Sequence, residues 1–417
     1  MASRNIKKII IVILNLFLYF LYGKCIIPII FTSLCAFFLG KLISKNKNFF
    51  LVFFTYLIIL MPLVFYKYII TIINVNLLVP LGISYYTLIL LSYISDIYHN
   101  RYNESENIID FLLFCLYFPC LFIGPINKYN DFIKKISNVR IERKNVFKSL
   151  FRICLGLIKK LIIANKLGIV ILTLSTNLNY QGLYILIGCI IYSVYLYCDF
   201  SGGIDIILGI SNFFNIELVE NFDKPYLSET VKEFWRRWHI SLGTWLKDYI
   251  YIPLGGNRNG FFKTKLNIIF TFFVSGIWHG LHYILWGIIN GILVAVNFKS
   301  KNRYLNIFLT FFVISILWVF FIYNDTFLSI EMLLSIFKVG SFNIWNLGLT
   351  LLDYVIVFIF LISVLLYELN DNYFNKFLNI LTFNQKLSIL LLIIFLILLF
   401  GNYGLDVNSN NFVYGNF

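Results

Sequence analysis

The chain has 417 residues, 60% of them hydrophobic and only 13% charged, where a soluble domain is nearer half apolar and a quarter charged. Aromatic residues make up 19%, led by 45 Phe and 28 Tyr, and a soluble fold has no interior for so much apolar surface. The net charge of +14 sits in short stretches between apolar runs, which points to membrane orientation and excludes nucleic acid as a partner, since no basic stretch is interleaved with a readable binding fold.

A spanning helix takes about 20 mostly apolar residues. Arg4, Lys7 and Lys8 precede an apolar run in the manner of a signal peptide. No small-residue cleavage site follows, so the run is expected to stay as a first helix. Candidate spans lie at Ile9–Tyr22, Ile26–Leu42, Phe49–Phe65, Leu77–Ile94 and Ile109–Ile126. Further ones follow at Phe151–Leu172, Tyr184–Phe200, Leu266–His282, Tyr283–Phe298, Ile307–Tyr323, Leu349–Leu366 and Leu387–Phe400. The expected fold is an all-α membrane protein, a polytopic bundle of roughly twelve helices. It reads as one integral domain over residues 1–417. Several spans are short, which suggests tilted or re-entrant helices. The loop Lys128–Arg152 is strongly basic and is expected to face the cytoplasm.

The stretch from Glu217 to Lys265 breaks the apolar pattern with Trp and Arg. Ser228 sits ahead of Thr230–Leu246 as an N-cap region. There Phe234, Trp235, Trp238 and Leu242 recur at helical spacing, the pattern of a helix lying in the interface or dipping into the bundle. Pro253, Gly255 and Gly256 then turn the chain. The seven cysteines, none in a C-x-x-C pair, read as small core hydrophobes.

Of four histidines, His99 lies in a polar loop, His239 ends a Trp-Arg-Arg-Trp-His run, and His279 and His282 sit in the apolar run Phe270–Val296. An ionisable group there is a functional candidate by default. Buried and neutral, His279 would be a competent general base. The same residue is equally compatible with a packing histidine that donates one hydrogen bond. Gly276 and Gly280 flank it and leave room for a close helix or a substrate. His279 and His282, three apart, would roughly share a helix face, but no carboxylate completes a set, so no metal is expected. There is no G-x-S-x-G, Walker loop or dinucleotide fingerprint.

Asn221–Arg258, NFDKPYLSETVKEFWRRWHISLGTWLKDYIYIPLGGNR, resembles the signature of the bacterial membrane-bound O-acyltransferase family, of the alginate O-acetylase type. Supporting stretches stand in order at Pro80–Tyr86, Tyr117–Pro125, Gly156–Asn165, Tyr197–Gly203 and Gly276–Gly280, and the tail Phe412–Phe417 resembles the family's aromatic C-terminus. The signature region runs over residues 221–282. The resemblance implies acyl transfer at a bacterial plasma membrane, from a cytoplasmic thioester to an extracytoplasmic hydroxyl. The donor would be acetyl-coenzyme A or an acyl carrier protein, used as co-substrate with no bound cofactor. The acceptor would be a polysaccharide, or a teichoic acid if the acyl group is D-alanyl, and a separate extracytoplasmic acyltransferase is a further possible partner. The family's catalytic histidine corresponds to His279 and its second histidine to His239; His282 is left to packing. Trp235, Arg236, Arg237, Trp238, Asp248 and Asn257 are carried over as the donor path. Arg236, Arg237 and Lys247 suit an anionic carrier, or ordinary snorkelling. Asp199 and Asp248 suit pairing with the arginines, or holding a histidine tautomer. A central funnel reachable from both faces is then expected. A transporter, the reading from another class, would also use intramembrane histidines and broken helices, but no inverted repeat is visible.

Overall fold

The computed structural model of the protein describes residues 4–403 apart from 23, 24, 74, 76, 78, 106, 137, 138 and 324. The tail Phe412–Phe417 lies outside the described residues. The architecture is that of an all-α membrane protein, and among the described residues the one extended pairing is a single bridge between Phe222 and Trp238.

The chain opens with α1 (Arg4–Tyr22), α2 (Ile27–Lys45) and α3 (Phe49–Val64), which runs on through a π turn, Phe65–Ile69, and a last turn, Ile70–Ile73. Next come α4 (Ile83–Tyr98), α5 (Ile108–Leu116), α6 (Phe118–Ile123) and α7 (Tyr129–Ile136). Helix α8 (Arg143–Leu157) passes through a second π turn, Ile158–Ala164, into α9 (Asn165–Thr176). Helix α10 (Leu183–Phe213) is the axis of the bundle, with 67% of its apolar window buried. After it come α11 (Val231–Arg237), α12 (Ile240–Leu246) and a third π turn, Lys247–Tyr251. Helices α13 (Gly260–His279) and α14 (Ile284–Val296) are joined by a 3-10 turn, Leu281–Tyr283. The rest is α15 (Arg303–Leu317), α16 (Val319–Ile322), α17 (Thr326–Ser335), α18 (Leu351–Leu369), α19 (Asp371–Ile380) and α20 (Phe383–Phe400).

Several helix starts carry the local chemistry that fixes them. The Asn48 and Asn107 side chains accept amides at the heads of α3 and α5, and Thr350 with Asp353, then Thr382 with Gln385, form capping boxes on α18 and α20. Six helices are long and apolar enough to cross a membrane among the described residues: Ile27–Lys45, Phe49–Ile69, Leu183–Phe213, Arg303–Ile322, Leu351–Leu369 and Phe383–Phe400. Several of the other expected spans are shorter or broken, while Phe151–Leu172 lies within the continuous run of α8, its π turn and α9. Ile109–Ile126 divides at Tyr117, ahead of Pro119 in the first turn of α6, and Leu266–His282 stops at His279. Helices α18 and α20 show most of their surface outward, as lipid-facing helices do.

Two expectations are corrected. The basic stretch Lys128–Arg152 is mostly helix, holding α7 and the start of α8, because Tyr129, Phe132 and Ile136 recur at helical spacing and bury one face. The amphipathic run Thr230–Leu246 is two helices, and its cap is Thr230, which accepts the Glu233 amide at 3.1 Å, rather than Ser228.

Helices α8 and α10 meet backbone to backbone at glycines. A Cβ at Gly156 would stand 2.5 Å from the Gly202 carbonyl oxygen, and one at Gly202 would stand 2.8 Å from that of Gly156. The charges of this region are paired, Lys159 and Asp205 inside the bundle, as intramembrane charges must be. Lys159 binds Asp205 at 2.8 Å and Glu368 at 2.6 Å, and Arg152 bridges Asp205 and Glu220. Overpacking such a contact costs about 1–3 kcal/mol. Gly156→Val should therefore lower the thermal unfolding midpoint in detergent. Gly340→Val, with nothing within 4 Å of its Cβ, should leave it unchanged.

Candidate active site

Two helix ends build the site. Helix α13 stops at His279 because Gly280 takes φ 150° and ψ 160°, a backbone conformation suited to glycine. The chain then turns back as α14, and the two helices lie so close that a Cβ at Gly287 would sit 2.4 Å from the Phe272 carbonyl oxygen. His279 and His282 therefore do not share a helix face. His279 closes a helix, while His282 lies in the 3-10 turn with its ring 3.9 Å from that of Tyr283.

The second end lies between α11 and α12. His239 has φ 49° and ψ 53°, a left-handed conformation that histidine tolerates better than most residues. No Gly or Pro dictates the break. The Asn221–Asp223 segment imposes it. The Asn221 carbonyl accepts the Ile240 amide at 3.0 Å, its side chain accepts the Ser241 amide at 3.0 Å, and the Asp223 amide donates to the Arg237 carbonyl at 3.0 Å. Phe222 and Trp238 complete the bridge.

Both imidazoles are buried and line one cavity of about 730 Å³. The Trp278 ring stands between them, its centroid 4.7 Å from that of His279 and 6.4 Å from that of His239. Trp286 and Phe321 close on His279 at 5.5 and 5.7 Å, and Phe200 on His239 at 4.8 Å. The floor is thus aromatic. The remaining wall carries Lys232, Arg236, Lys247 and Arg258, and among the described residues no carboxylate lines it. The cavity can hold an apolar group against its rings and an anionic one at its cations.

Of the residues carried over as a donor path, Trp235, Arg236, Trp238 and Asn257 line this cavity. The lining does not include Arg237 or Asp248. Arg237 pairs with Glu233 one turn back at 2.7 Å, and Asp248 pairs with Lys128 at 2.6 Å. Asp199 pairs with Lys160, so both aspartates meet lysines rather than the arginines of the signature. Among the described residues no three His, Cys, Asp or Glu side chains gather as a metal would require.

Three residues went unread in the sequence. Asn290, fully buried, accepts from the Trp235 indole at 3.0 Å and fixes that wall of the cavity. Lys67 donates to the Trp278 carbonyl, and Tyr68 to that of Ile277, bracing the end of α13. The signal for Lys67 was present: a lysine just past the end of a candidate span, with apolar residues on either side.

A model of the membrane-bound O-acyltransferase family matches residues 99–337. A probable alginate O-acetylase of Pseudomonas putida is 34% identical over 313 residues, 72% of this chain and 64% of that protein. A peptidoglycan O-acetyltransferase of Helicobacter pylori is 33% identical over 290 residues, covering 60% of this chain and 55% of its own. A teichoic acid D-alanyltransferase of Bacillus subtilis is 30% identical over 240 residues, covering 54% and 61% respectively. Each match thus spans less than two thirds of the relative's length.

The backbone at His239 can be probed apart from its ring. A non-glycine residue held left-handed costs roughly 1–2 kcal/mol. His239→Gly and His239→Ala both remove the imidazole, yet the glycine variant should unfold at the higher temperature. Equal midpoints would show that the break carries no strain.

Proposed function

The chain belongs to the membrane-bound O-acyltransferase family, and from that premise we propose that it moves an acyl group, acetyl foremost, from a cytoplasmic thioester to a hydroxyl of an extracytoplasmic polysaccharide. The observation that carries the reading is the placing of His239 and His279 on one cavity with a cationic wall and an aromatic floor. In this reading His279 is the general base. The hydroxyl proton passes to its imidazole as the oxygen attacks the thioester carbonyl. The C–O bond forms, the C–S bond breaks, and the imidazolium returns its proton to the departing thiolate. His239 orients the donor or the acceptor. Arg236, Lys247 and Arg258 suit the phosphates of a coenzyme A or carrier-protein arm, since fixed cations recognise phosphate.

A general base is worth about 10²–10⁴-fold in rate. His279→Ala, at wild-type membrane level, should strip the envelope of the ester. His239→Ala should reduce it, and His282→Ala should leave it intact. Mild base releases the esters, and acetate and D-alanine are then counted. Acetate from wild-type cells supports the acetyl reading. D-alanine supports transfer to teichoic acid, the second reading favoured by the Bacillus subtilis relative. Normal ester in the His279→Ala strain would refute the assignment.

The membrane is taken to be the bacterial plasma membrane, with α7 and the cavity's cationic wall toward the cytoplasm. In a Cys25→Ser, Cys35→Ser background, new cysteines at Arg140 and Lys247, both exposed, should react with a membrane-impermeant maleimide only in inside-out vesicles. Labelling of either in intact cells would reverse the proposed direction.

A further inference from the structure

The end of α13 is answered from outside its own helix. The last carbonyls of a helix have no amide of the same helix to accept from, and in the interior of a membrane bundle an unanswered carbonyl is costly. At α13 these are the carbonyls immediately ahead of His279. The Gly276 carbonyl accepts the Gly280 amide at 3.0 Å. The next two are reached from 209 and 211 residues away, Ile277 by the Tyr68 hydroxyl and Trp278 by the Lys67 ammonium.

Several features make this more than an incidental contact. Both donors come from consecutive residues on the π turn Phe65–Ile69. A π turn shifts side chains out of the α register and is found at functional positions far more often than its rarity would suggest. Lys67 also holds the residue between the two histidines twice. Its ammonium binds the Trp278 carbonyl and lies 5.4 Å from the centroid of the Trp278 ring. A cation over an indole face is attractive, and a cation at a helix C-terminus complements the helix dipole. The Trp278 ring is in turn edge-on to His279 at 4.7 Å and to Tyr85 at 5.9 Å. Fixing the Trp278 backbone and ring therefore fixes the direction in which the next residue, His279, points. Ser84, within 3.5 Å of the same ammonium, ties the clamp to the head of α4.

We infer that Lys67 and Tyr68 are positioning residues for His279, a two-donor clamp on the carbonyls of Ile277 and Trp278 that aims the imidazole into the cavity. The inference rests on the proposed acyl transfer. Neither residue lines the cavity, so they act on the base and not on the donor. Misplacing a catalytic group by about 1 Å can cost on the order of 100-fold in rate, and such a loss falls on kcat while the donor KM stays put.

The test uses membrane-and-wall particles from cells expressing the full chain, supplied with labelled acetyl-coenzyme A at graded concentrations, with incorporation into envelope polymer as the rate. Lys67→Met should lower kcat by roughly 10- to 100-fold with KM unchanged. Lys67→Arg, which keeps a cation and N–H donors, should recover most of the loss. Tyr68→Phe should lower kcat less. A Lys67→Met chain with wild-type kcat overturns the clamp, and so does a fall that Lys67→Arg does not rescue. If Lys67→Met fails to accumulate, Tyr68→Phe decides, and full kcat from it overturns the inference. His279→Ala runs alongside. If it stays active, or the wild type transfers nothing, the acyl-transfer reading fails and the clamp with it. A dead His279→Ala beside a fully active Lys67→Met removes the clamp alone.

Discussion

A helix that ends inside a lipid-embedded bundle leaves backbone groups that no water can answer, and such groups cost several kcal/mol each if left alone. This protein ends helices at the two points where its buried histidines stand, at Arg237 and at His279. The rest of the central architecture follows from answering those ends. The Asp223 amide serves the first, donating to the Arg237 carbonyl, while Asn221 takes the Ile240 and Ser241 amides that open α12 with its carbonyl and its side chain. Lys67 and Tyr68 serve the second. Ser241 extends the first set by accepting the Ile126 amide at 3.1 Å, which binds the break to the chain just after α6. Each interruption is thus held by residues distant in sequence, and the cavity exists because both are held at once.

The same economy governs the charges. Among the described residues two π turns interrupt longer helices and a third closes α12, and each carries a charge that meets a partner elsewhere in the chain. Lys67 meets α13, Lys159 and Lys160 meet Asp205, Glu368 and Asp199, and Asp248 meets Lys128. Widening a helix by one residue turns a side chain out of register with its neighbours, so a charge within an apolar run can be aimed at one partner. Breaking such a buried pair on one side costs far more than the pair contributes, because the other charge is left stranded. The lysines of the Gly156–Asn165 stretch are therefore structural in this protein. They lock the α8–α10 contact, whose glycine-to-glycine approach leaves no room for a further side chain at the seam.

What the sequence made legible divides along the same line. Periodicity and hydropathy located the spanning helices, because burial in lipid acts on each segment separately. An imidazole in an apolar run marked His279, and the signature tied it to His239. Long-range answers were not legible. The split at Trp238–His239 breaks an intact amphipathic pattern, and only the distant Asn221–Asp223 segment makes it. Arg236 and Arg237 are adjacent and alike, yet one faces the cavity and the other pairs with Glu233. That choice was legible: Glu233 stands four residues before Arg237 on the same helix, the spacing of a local ion pair. Lys67 carried the mark of an intramembrane charge, but its partner lies 211 residues away, and no spacing rule joins them.

The positive φ at His239 bears on how far the site can relax. A left-handed non-glycine residue persists only where its surroundings over-determine it. Here two backbone hydrogen bonds with Asn221–Asp223, a third from the Ser241 amide to the Asn221 side chain, and a ring contact with Phe200 do so. Histidine in the middle of a regular helix would have swung with that helix, and its ring would have shared a face with Trp235 or Leu242. At the break it lines the same cavity as His279, with the Trp278 ring packed against both imidazoles. On the proposed reading, imidazoles already held beside one indole need little further organising when a substrate enters, and preorganised polar groups gain most where water is excluded. The strain at His239 and the clamp on α13 are two solutions to one problem: holding a ring still at a place where its helix has come to an end.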